Sequence, residues 1–217
     1  MSSYVVCAGG QGRVVLDYLR LTGVKIVGFF DDVKEGEVEG VPVLGKLADI
    51  PRVLKEMARK RERKGKAALY VALGDNAARE RLCSALDGLG RFPNLVHPSS
   101  IVSRSAQVKR DAGLFVGPVA VVNTNATLGR FCLVNSGAIV EHDVQVGEFS
   151  SLGPGAIVAG GVTLGKRVTV GLGAKVLNDV TIGDDVVVGA GAVVTKSFGP
   201  GKKVLVGVPA RELVQRD

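Results

Sequence analysis

Aliphatic residues recur at every sixth position from Val116 to Val194 with no polar exception: Val116, Val122, Leu128, Val134, Val140, Val146, Leu152, Val158, Leu164, Val170, Val176, Ile182, Val188 and Val194. Two residues before each stands an uncharged, mostly small residue, among them Ala120, Ala126, Cys132, Ala138, Ser150 and Ala156. Positions i−2 and i of one strand point to the same side, so both sets face one interior. A period of six suits neither a 3.6-residue helix nor an isolated strand. It is the signature of a parallel β-helix built from hexapeptides. Glycine follows the aliphatic residue at eight of the fourteen places. These glycines are expected to turn the corners, where a side chain or a negative φ would obstruct. The pattern begins faintly at Val102 and Val108, then slips by two residues before Val116, which implies an insertion at one corner. Phe198-Gly199-Pro200-Gly201 ends it.

The chain ahead of the repeat alternates differently. Tyr4 to Ala8 reads as a buried strand, Gly9, Gly10, Gln11 and Gly12 as a turn, and Arg13 to Leu21 as a helix. Lys25 to Phe30 is a second strand, ending in Asp31 and Asp32. This is a βαβ unit with a glycine-rich first turn and an acid about 20 residues on. Cys7 stands where the first glycine of a dinucleotide fingerprint would be. The turn therefore reads as a generic phosphate-facing turn, with a purely structural tight turn as the alternative. A short Val41–Gly45 segment follows, then a helix from Pro51 to Lys64 and a core strand from Ala67 to Leu73. That strand delivers Gly74, Asp75 and Asn76 to the carboxyl edge, where open α/β sheets collect ligands. Asn76 is expected to cap a helix over Ala77–Leu89. Phe92–Val96 reads as a last strand, and His97-Pro98 as the junction. The fold class is an α/β Rossmann-like domain with a parallel sheet (1–96), a parallel β-helix (97–198) and a C-terminal tail (199–217).

Composition narrows the picture. The 217 residues include no Trp, and aromatics make up 5%, which suits an interior stacked from Val, Ile, Leu and Ala. The net charge of +7 is concentrated outside the repeat. Its densest cluster, Arg59 to Lys66, lacks interleaved aromatics and closes a helix, so it reads as a solvated helix end and not a nucleic-acid surface. Three cysteines, at positions 7, 83 and 132, make neither a disulfide frame nor a metal site and fit a reducing compartment. The start of the chain has no signal-peptide pattern, and no apolar run approaches ~18 residues. A cytoplasmic protein without membrane or metal partners is expected.

If three hexads make one coil, every eighteenth residue stacks. One column is then Thr124, His142, Gly160, Asn178 and Lys196. His142, one of two histidines in the chain, lies beside a backbone amide with no side chain over it. A base next to a bare N–H is what acyl transfer needs. Asp143 is placed to hold the other ring nitrogen. A plain surface histidine at a corner is the competing reading, and His97 reads as structural.

The hexapeptide ladder resembles the left-handed β-helix acyltransferases. The whole layout is similar to the subfamily that acetylates bacterial nucleotide-activated sugars, the sialic acid O-acetyltransferase and UDP- or GDP-4-amino-sugar N-acetyltransferase group. The marks are Ala8 to Arg13, Phe30-Asp31-Asp32, Leu73 to Asn76, Val96-His97-Pro98, Asn135, Glu141-His142-Asp143 and Val206 to Arg211. The resemblance implies a left-handed coil and a homotrimer. It implies that Gly9, Gly10, Gln11 and Gly12 hold the diphosphate of a nucleotide sugar, that Asp31 and Asp32 meet the nucleoside, and that Gly74 and Asp75 belong to the same substrate site. It implies His142 as general base, Asp143 as its polarising partner, Asn135 as a support, and the Gly160 amide as oxyanion donor. Acetyl-CoA would run along the β-helix near Ser151, Gly160, Leu172, Asn178 and Ala190. Two positions depart from the family: Gln11 and Ser151 stand where members usually carry histidine. The expected activity is acetyl-CoA-dependent N-acetylation of a nucleotide-linked 4-amino-4,6-dideoxy sugar for surface glycan or glycoprotein biosynthesis. O-acetylation of a sialic-acid-type sugar is the near alternative, and a non-catalytic β-helix scaffold the distant one.

Overall fold

The computed structural model describes residues 2–60 and 66–213. The chain divides into two compact units, Met1–Leu95 and Val96–Asp217. In the first unit, β1 (Ser3–Val6) lies between β2 (Ile26–Phe30) and β5 (Ala68–Val71), parallel to both. Val5, Val6, Phe29, Phe30 and Leu69 are buried in these strands. Helix α1 (Gly10–Leu21) turns Val15, Leu16 and Leu19 to the core, as their 3.6-residue spacing requires. A hairpin of β3 (Glu37–Val38) and β4 (Val41–Pro42) extends β2 through a bridge from Phe29 to Val43. Helix α2 spans Ile50–Lys60. The expected continuation to Lys64, with most of the basic cluster, lies outside the described residues.

Two expectations need correction here. Helix α3 spans Asn76–Ala85, and its N-cap is Asp75, whose carboxylate accepts from the Ala78 N–H at 2.6 Å. Asn76 is one residue too late to cap and is buried in the first turn. Phe92–Val96 is not a strand of this sheet. Only Arg91 bridges Ala68, because Pro93 has no N–H to offer a ladder, and Leu95–Val96 is instead the first strand of the solenoid.

The second unit is a solenoid of three parallel sheets. Each coil contributes one two-residue strand to each sheet, for example Leu133–Val134, Ile139–Val140 and Gln145–Val146. We name the faces after Leu133, Ile139 and Gln145, and the corners after His142, Phe149 and Gly155. Regular coils stack eighteen residues apart, as in Ile139 on Ile157. Before them, Val108 pairs with Leu128, two residues further off. The insertion sits between Val108 and Phe115, in the corner where the sequence pattern slips. Every residue of the aliphatic ladder is at most 3% exposed, and with the i−2 residues it fills the interior.

The corners work differently from the sequence expectation. Positive φ does not fall on the residue after the ladder position but two further on. Thirteen residues, every sixth from Val119 to Gly191, have φ between 49° and 72°. The glycine directly after the ladder meets a different constraint, close approach. A Cβ on Gly147 would lie 2.4 Å from the Gly165 backbone, and one on Gly171 would lie 2.7 Å from the Val188 carbonyl. These glycines let one coil settle on the next.

The segment expected as a tail completes the solenoid. Val204–Val206 pairs parallel to Val187–Val188, and Arg211–Glu212 folds back antiparallel on it. Leu205 and Ala210 are buried in the core. The hairpin covers an open sheet edge that would otherwise template association. Among the described residues, no helix is long and apolar enough to cross a membrane.

Val119 is the β-branched member of the positive-φ series, at φ 49°, with an exposed side chain that gains little from packing. The left-handed conformation costs an L-residue roughly 1–2 kcal/mol, and asparagine tolerates it best among non-glycine residues. Val119→Asn is expected to stabilise the protein by about 1 kcal/mol, read as a raised urea midpoint with an unchanged m-value. A lowered midpoint would show that the corner is not strained.

Candidate active site

His142 stands at a corner between the Ile139 and Gln145 faces, on the first coil-to-coil column the repeat defines. Its Nδ1 lies 2.9 Å from Asp143 Oδ2. An ionised carboxylate only accepts, so this contact puts the ring proton on Nδ1 and leaves the Nε2 lone pair open. The ring lies over Gly160. A Cβ at Gly160 would sit 2.6 Å from Nε2 and 2.5 Å from Cε1, so only glycine admits the imidazole there. The Gly160 carbonyl accepts from Asp179 N and the His142 carbonyl from Gly161 N. The Gly160 N–H has no acceptor among the described residues. A proton acceptor and an uncommitted amide donor therefore share one corner.

Asp143 is itself held. Its Oδ1 accepts from Asn125 Nδ2 at 3.2 Å, which fixes the carboxylate with Oδ2 toward the imidazole. The sequence analysis does not single out Asn125, although the eighteen-residue stacking period places it directly one coil before Asp143. Beneath Glu141, Asn123 Nδ2 donates to Glu141 Oε2 at 3.1 Å. The hydrogen bond to Asp143 raises the His142 pKa above its ordinary value; desolvation works against this, and the charges of Asp143, Glu141 and Asp179 add to the rise. The hydrogen bonds from His142 and Asn125 hold Asp143 below the usual carboxylate range. His142 is 58% exposed at its side chain, so the site in one chain is open.

The remaining β-helix candidates fall in two places. Asn178 stacks on the His142 column, one coil beyond Gly160. Leu172 and Ala190 stack at the Gly155 corner, with Leu172 61% exposed. There Gly137, Gly155, Gly173 and Gly191 all have positive φ and open space where a Cβ would be, so that this one column carries no side chains from Gly137 to Gly191. Asn135 also belongs to the Gly155 corner, and its Oδ1 accepts from Ser136 N at 2.8 Å. Within one chain Asn135 and His142 are not brought together, because the Ile139 face separates them. Ser151 is half-buried on the Leu133 face, away from His142.

In the first unit, Gly9 is the N-cap of α1, and added Cβ atoms on Gly9 and Gly10 would meet nothing within 4 Å. A Cβ on Gly12 would collide with the Cys7 carbonyl, so this glycine serves helix–strand packing. Cys7 has φ 77°. It occupies the glycine position of the fingerprint in the glycine conformation, which the sequence pattern alone hides. Burial first, then the Asp31 and Asp32 charges, push its thiol up to about 11, so it is no thiolate nucleophile at neutral pH.

Asp31 acts as a brace. Oδ2 accepts from Ala8 N at 2.7 Å, and Oδ1 accepts from Val33 N and Lys34 N. Partial burial opposes its ionisation, but these three donors prevail and hold the carboxyl below its usual range. Asp32 Oδ1 accepts from Leu47 N. The two acids border a cavity of about 260 Å³ lined by Lys34, Glu35, Gly36, Val43, Lys46 and others. Gly74 and Asp75 are exposed at the end of β5, on the same sheet edge as Gly9–Gly12. No cluster of metal-ligating side chains occurs among the described residues.

Comparison with known proteins fits both units. Residues 4–86 match the PglD N-terminal domain, and residues 161–196 match the bacterial transferase hexapeptide repeat. The structure is similar to PerB from Caulobacter crescentus in complex with CoA and GDP-perosamine, with 34% identity and a TM-score of 0.89 over 99% of this chain and 98% of that one. The chain belongs to the hexapeptide-repeat acetyltransferases with a PglD-type N-terminal domain. The acetyltransferase domain of PglB from Neisseria gonorrhoeae, in complex with acetyl coenzyme A, is similar at 31% identity and a TM-score of 0.87, with 98% of each chain covered. This hexapeptide-repeat chain also matches an uncharacterised protein of Acanthamoeba polyphaga mimivirus at 28% identity over 132 residues, and there it spans 24% of the relative's length.

The dyad geometry of this acetyltransferase-family chain sets a pH dependence. If His142 serves as a base, it works once its proton is lost, and kcat/KM should rise through a limb above the ordinary histidine value of 6.5. Asp143→Asn removes the charge that raises this pKa while keeping a residue suited to the positive φ. The limb is expected to move to lower pH and the plateau to fall. A limb that stays in place would show that Asp143 does not act on His142.

Proposed function

We propose that this protein is an acetyl-CoA-dependent N-acetyltransferase acting on a nucleotide-linked amino sugar, of the 4-amino-4,6-dideoxy type. The observation that carries the reading is the His142 Nε2 lone pair over the bare Gly160 backbone, with Asp143 and Asn125 behind it. The neutral amine attacks the thioester carbon. The Gly160 N–H stabilises the oxyanion, and His142 takes the amine proton as the tetrahedral intermediate forms or collapses. Coenzyme A leaves as the thiol and the amide remains on the sugar. The resemblance to PerB with bound CoA and GDP-perosamine supports this choice of substrates. Structures of the same enzyme with one histidine replaced by Asn or Ala are in keeping with a histidine-centred site. In the first unit, the Gly9–Gly12 turn would take the diphosphate and the cavity beside Asp32 the nucleoside. That cavity is smaller than a site for a whole drug-sized ligand and suits one heterocycle.

The test is a screen of UDP-, GDP- and dTDP-linked amino sugars with acetyl-CoA, following thiol release, with hydroxyl sugars alongside. Turnover of an amino sugar that falls about 10²–10⁴-fold in His142→Ala is expected. Equal kcat/KM in that variant would remove the base role, and turnover of hydroxyl sugars alone would replace N- by O-acetylation.

We further propose that the working form is a homotrimer. The outward side chains of the Ile139 face are Ile101, Val121, Ile139, Ile157, Lys175 and Val193, and Ile101 is 66% exposed. The Gln145 face presents Gln107, Thr127, Gln145, Thr163 and Thr181 instead. This largely aliphatic row, interrupted by Lys175 and set against the polar Gln145 face, favours a self-association surface. Its two borders are the His142 corner and the corner bearing Asn135, Leu172 and Ala190, so neighbouring copies could complete one another's sites. Sedimentation equilibrium is expected to give three chains per particle, with Ile139→Lys shifting the mass toward the monomer and lowering kcat. A fully active monomer would refute the trimer reading.

A further inference from the structure

Arg79 is 1% exposed and is the bulkiest of the fully buried side chains. Desolvating a guanidinium is costly unless its donors are satisfied. Here Nη1 donates to the Leu73 carbonyl at 2.8 Å and the Gly74 carbonyl at 3.0 Å, and Nη2 donates to Asn76 Oδ1 at 2.8 Å. The two carbonyls belong to the loop that leaves β5, and Asn76 opens α3. Nothing in the hexad repeat, the βαβ pattern or the acyl-transfer corner accounts for a charge buried at this point.

The consequence lies on the other side of the loop. In a planar trans peptide the N–H points opposite to the C=O. Two successive carbonyls converge on one nitrogen of Arg79, so the N–H groups of Gly74 and Asp75 turn away from it. Both residues are exposed, and among the described residues neither N–H has an acceptor. Strand β5 is the parallel neighbour of β1, with Val71 opposite Val6. The two loops therefore leave the same sheet edge about 4.8 Å apart, one with the open amides of Gly9 and Gly10, the other with those of Gly74 and Asp75. Successive amides facing one way are suited to phosphate oxygens.

We propose that Arg79 is a positioning residue: from beneath, it holds the Gly74 and Asp75 amides toward the diphosphate of the bound nucleotide, as a second set of donors beside the Gly9–Gly12 turn. This rests on the reading that the first unit holds a nucleoside diphosphate sugar. It touches no ligand itself and acts through the loop backbone.

Asp75 makes the assignment testable, because its φ of −65° is the value proline imposes. Asp75→Pro and Asp75→Ala both lose the cap to Ala78, but only the proline variant loses the N–H. Calorimetry with GDP, UDP and dTDP is expected to show about tenfold weaker binding for Asp75→Pro than for Asp75→Ala, the scale of one hydrogen bond to a charged group. Arg79→Lys keeps the charge without the fork and should raise KM for the nucleotide sugar about tenfold, with the larger effect on this KM and not on that for acetyl-CoA. Circular dichroism and Tm establish folding; if Arg79→Lys does not fold, the Asp75 pair decides alone. Equal diphosphate affinity in folded Asp75→Pro and Asp75→Ala overturns the proposal, and so does a wild-type protein that binds none of the three nucleotides. A wild-type protein that binds them and acetylates no amino sugar ends the catalytic reading, while the Asp75 comparison still decides the role of the loop.

Discussion

Each coil of the solenoid must return, after eighteen residues, to hydrogen-bond distance above the coil before it. Bonds such as Gly147 N to Leu164 O and Ile139 N to Ala156 O, at 2.8 Å each, recur along every face. This closure is the constraint from which the rest of the second unit follows. It fixes three strands and three corners per coil. It demands aliphatic side chains of similar size inside, because interior volume cannot vary from one layer to the next without opening a void. It demands glycine where a Cβ would strike the next backbone, and a left-handed residue two positions later. What it leaves free is the outward surface at the corners, and that is where the proposed acyl-transfer groups stand.

At the His142 corner the same closure positions the groups proposed for catalysis. The imidazole and the Gly160 backbone are neighbours because they are one coil apart, and the ring can lie flat there because residue 160 has no side chain. Asp143 and Asn125 are neighbours for the same reason. A hydrogen-bonded file from Asn125 through Asp143 to Nδ1 fixes the tautomer and raises the basicity of Nε2. The ring stays exposed, so its environment in one chain remains close to water. Sequestration from solvent would come from the acetyl donor and from a neighbouring copy along the aliphatic Ile139 face.

The first unit solves a different problem, presenting backbone donors at the edge of a three-stranded sheet. Side chains that look like ligand contacts turn out to shape the backbone. Asp31 ties the end of β1 to the loop after β2, Gly12 lets α1 close on Cys7, and Cys7 accepts a conformation normally left to glycine. Arg79 belongs to the same class. Gly9, Gly10, Gly74 and Asp75 meet water where β1 and β5 end, an arrangement suited to recognition through amides.

The sequence by itself determined the repeat, its period, the inserted pair of residues near Val108 and the pairing of His142 with Gly160. A stacking period of eighteen is a linear rule, and linear rules can be read along a chain. It also determined the βαβ unit, because the switch from period two to period 3.6 is local. Only the tertiary structure decided that the glycines directly after the ladder serve close approach while positive φ falls two places later, since both depend on backbone angles and on what lies on the next coil. It decided that Asp75 and not Asn76 caps α3, a matter of one residue in backbone angle. It revealed that Asn135 and His142 lie on opposite borders of one face. It revealed Asn125, whose partner Asp143 lies eighteen residues on, and Arg79, whose partners are a pair of loop carbonyls and Asn76. Those partners are set by where backbone groups point, and a sequence of residue types does not carry that direction.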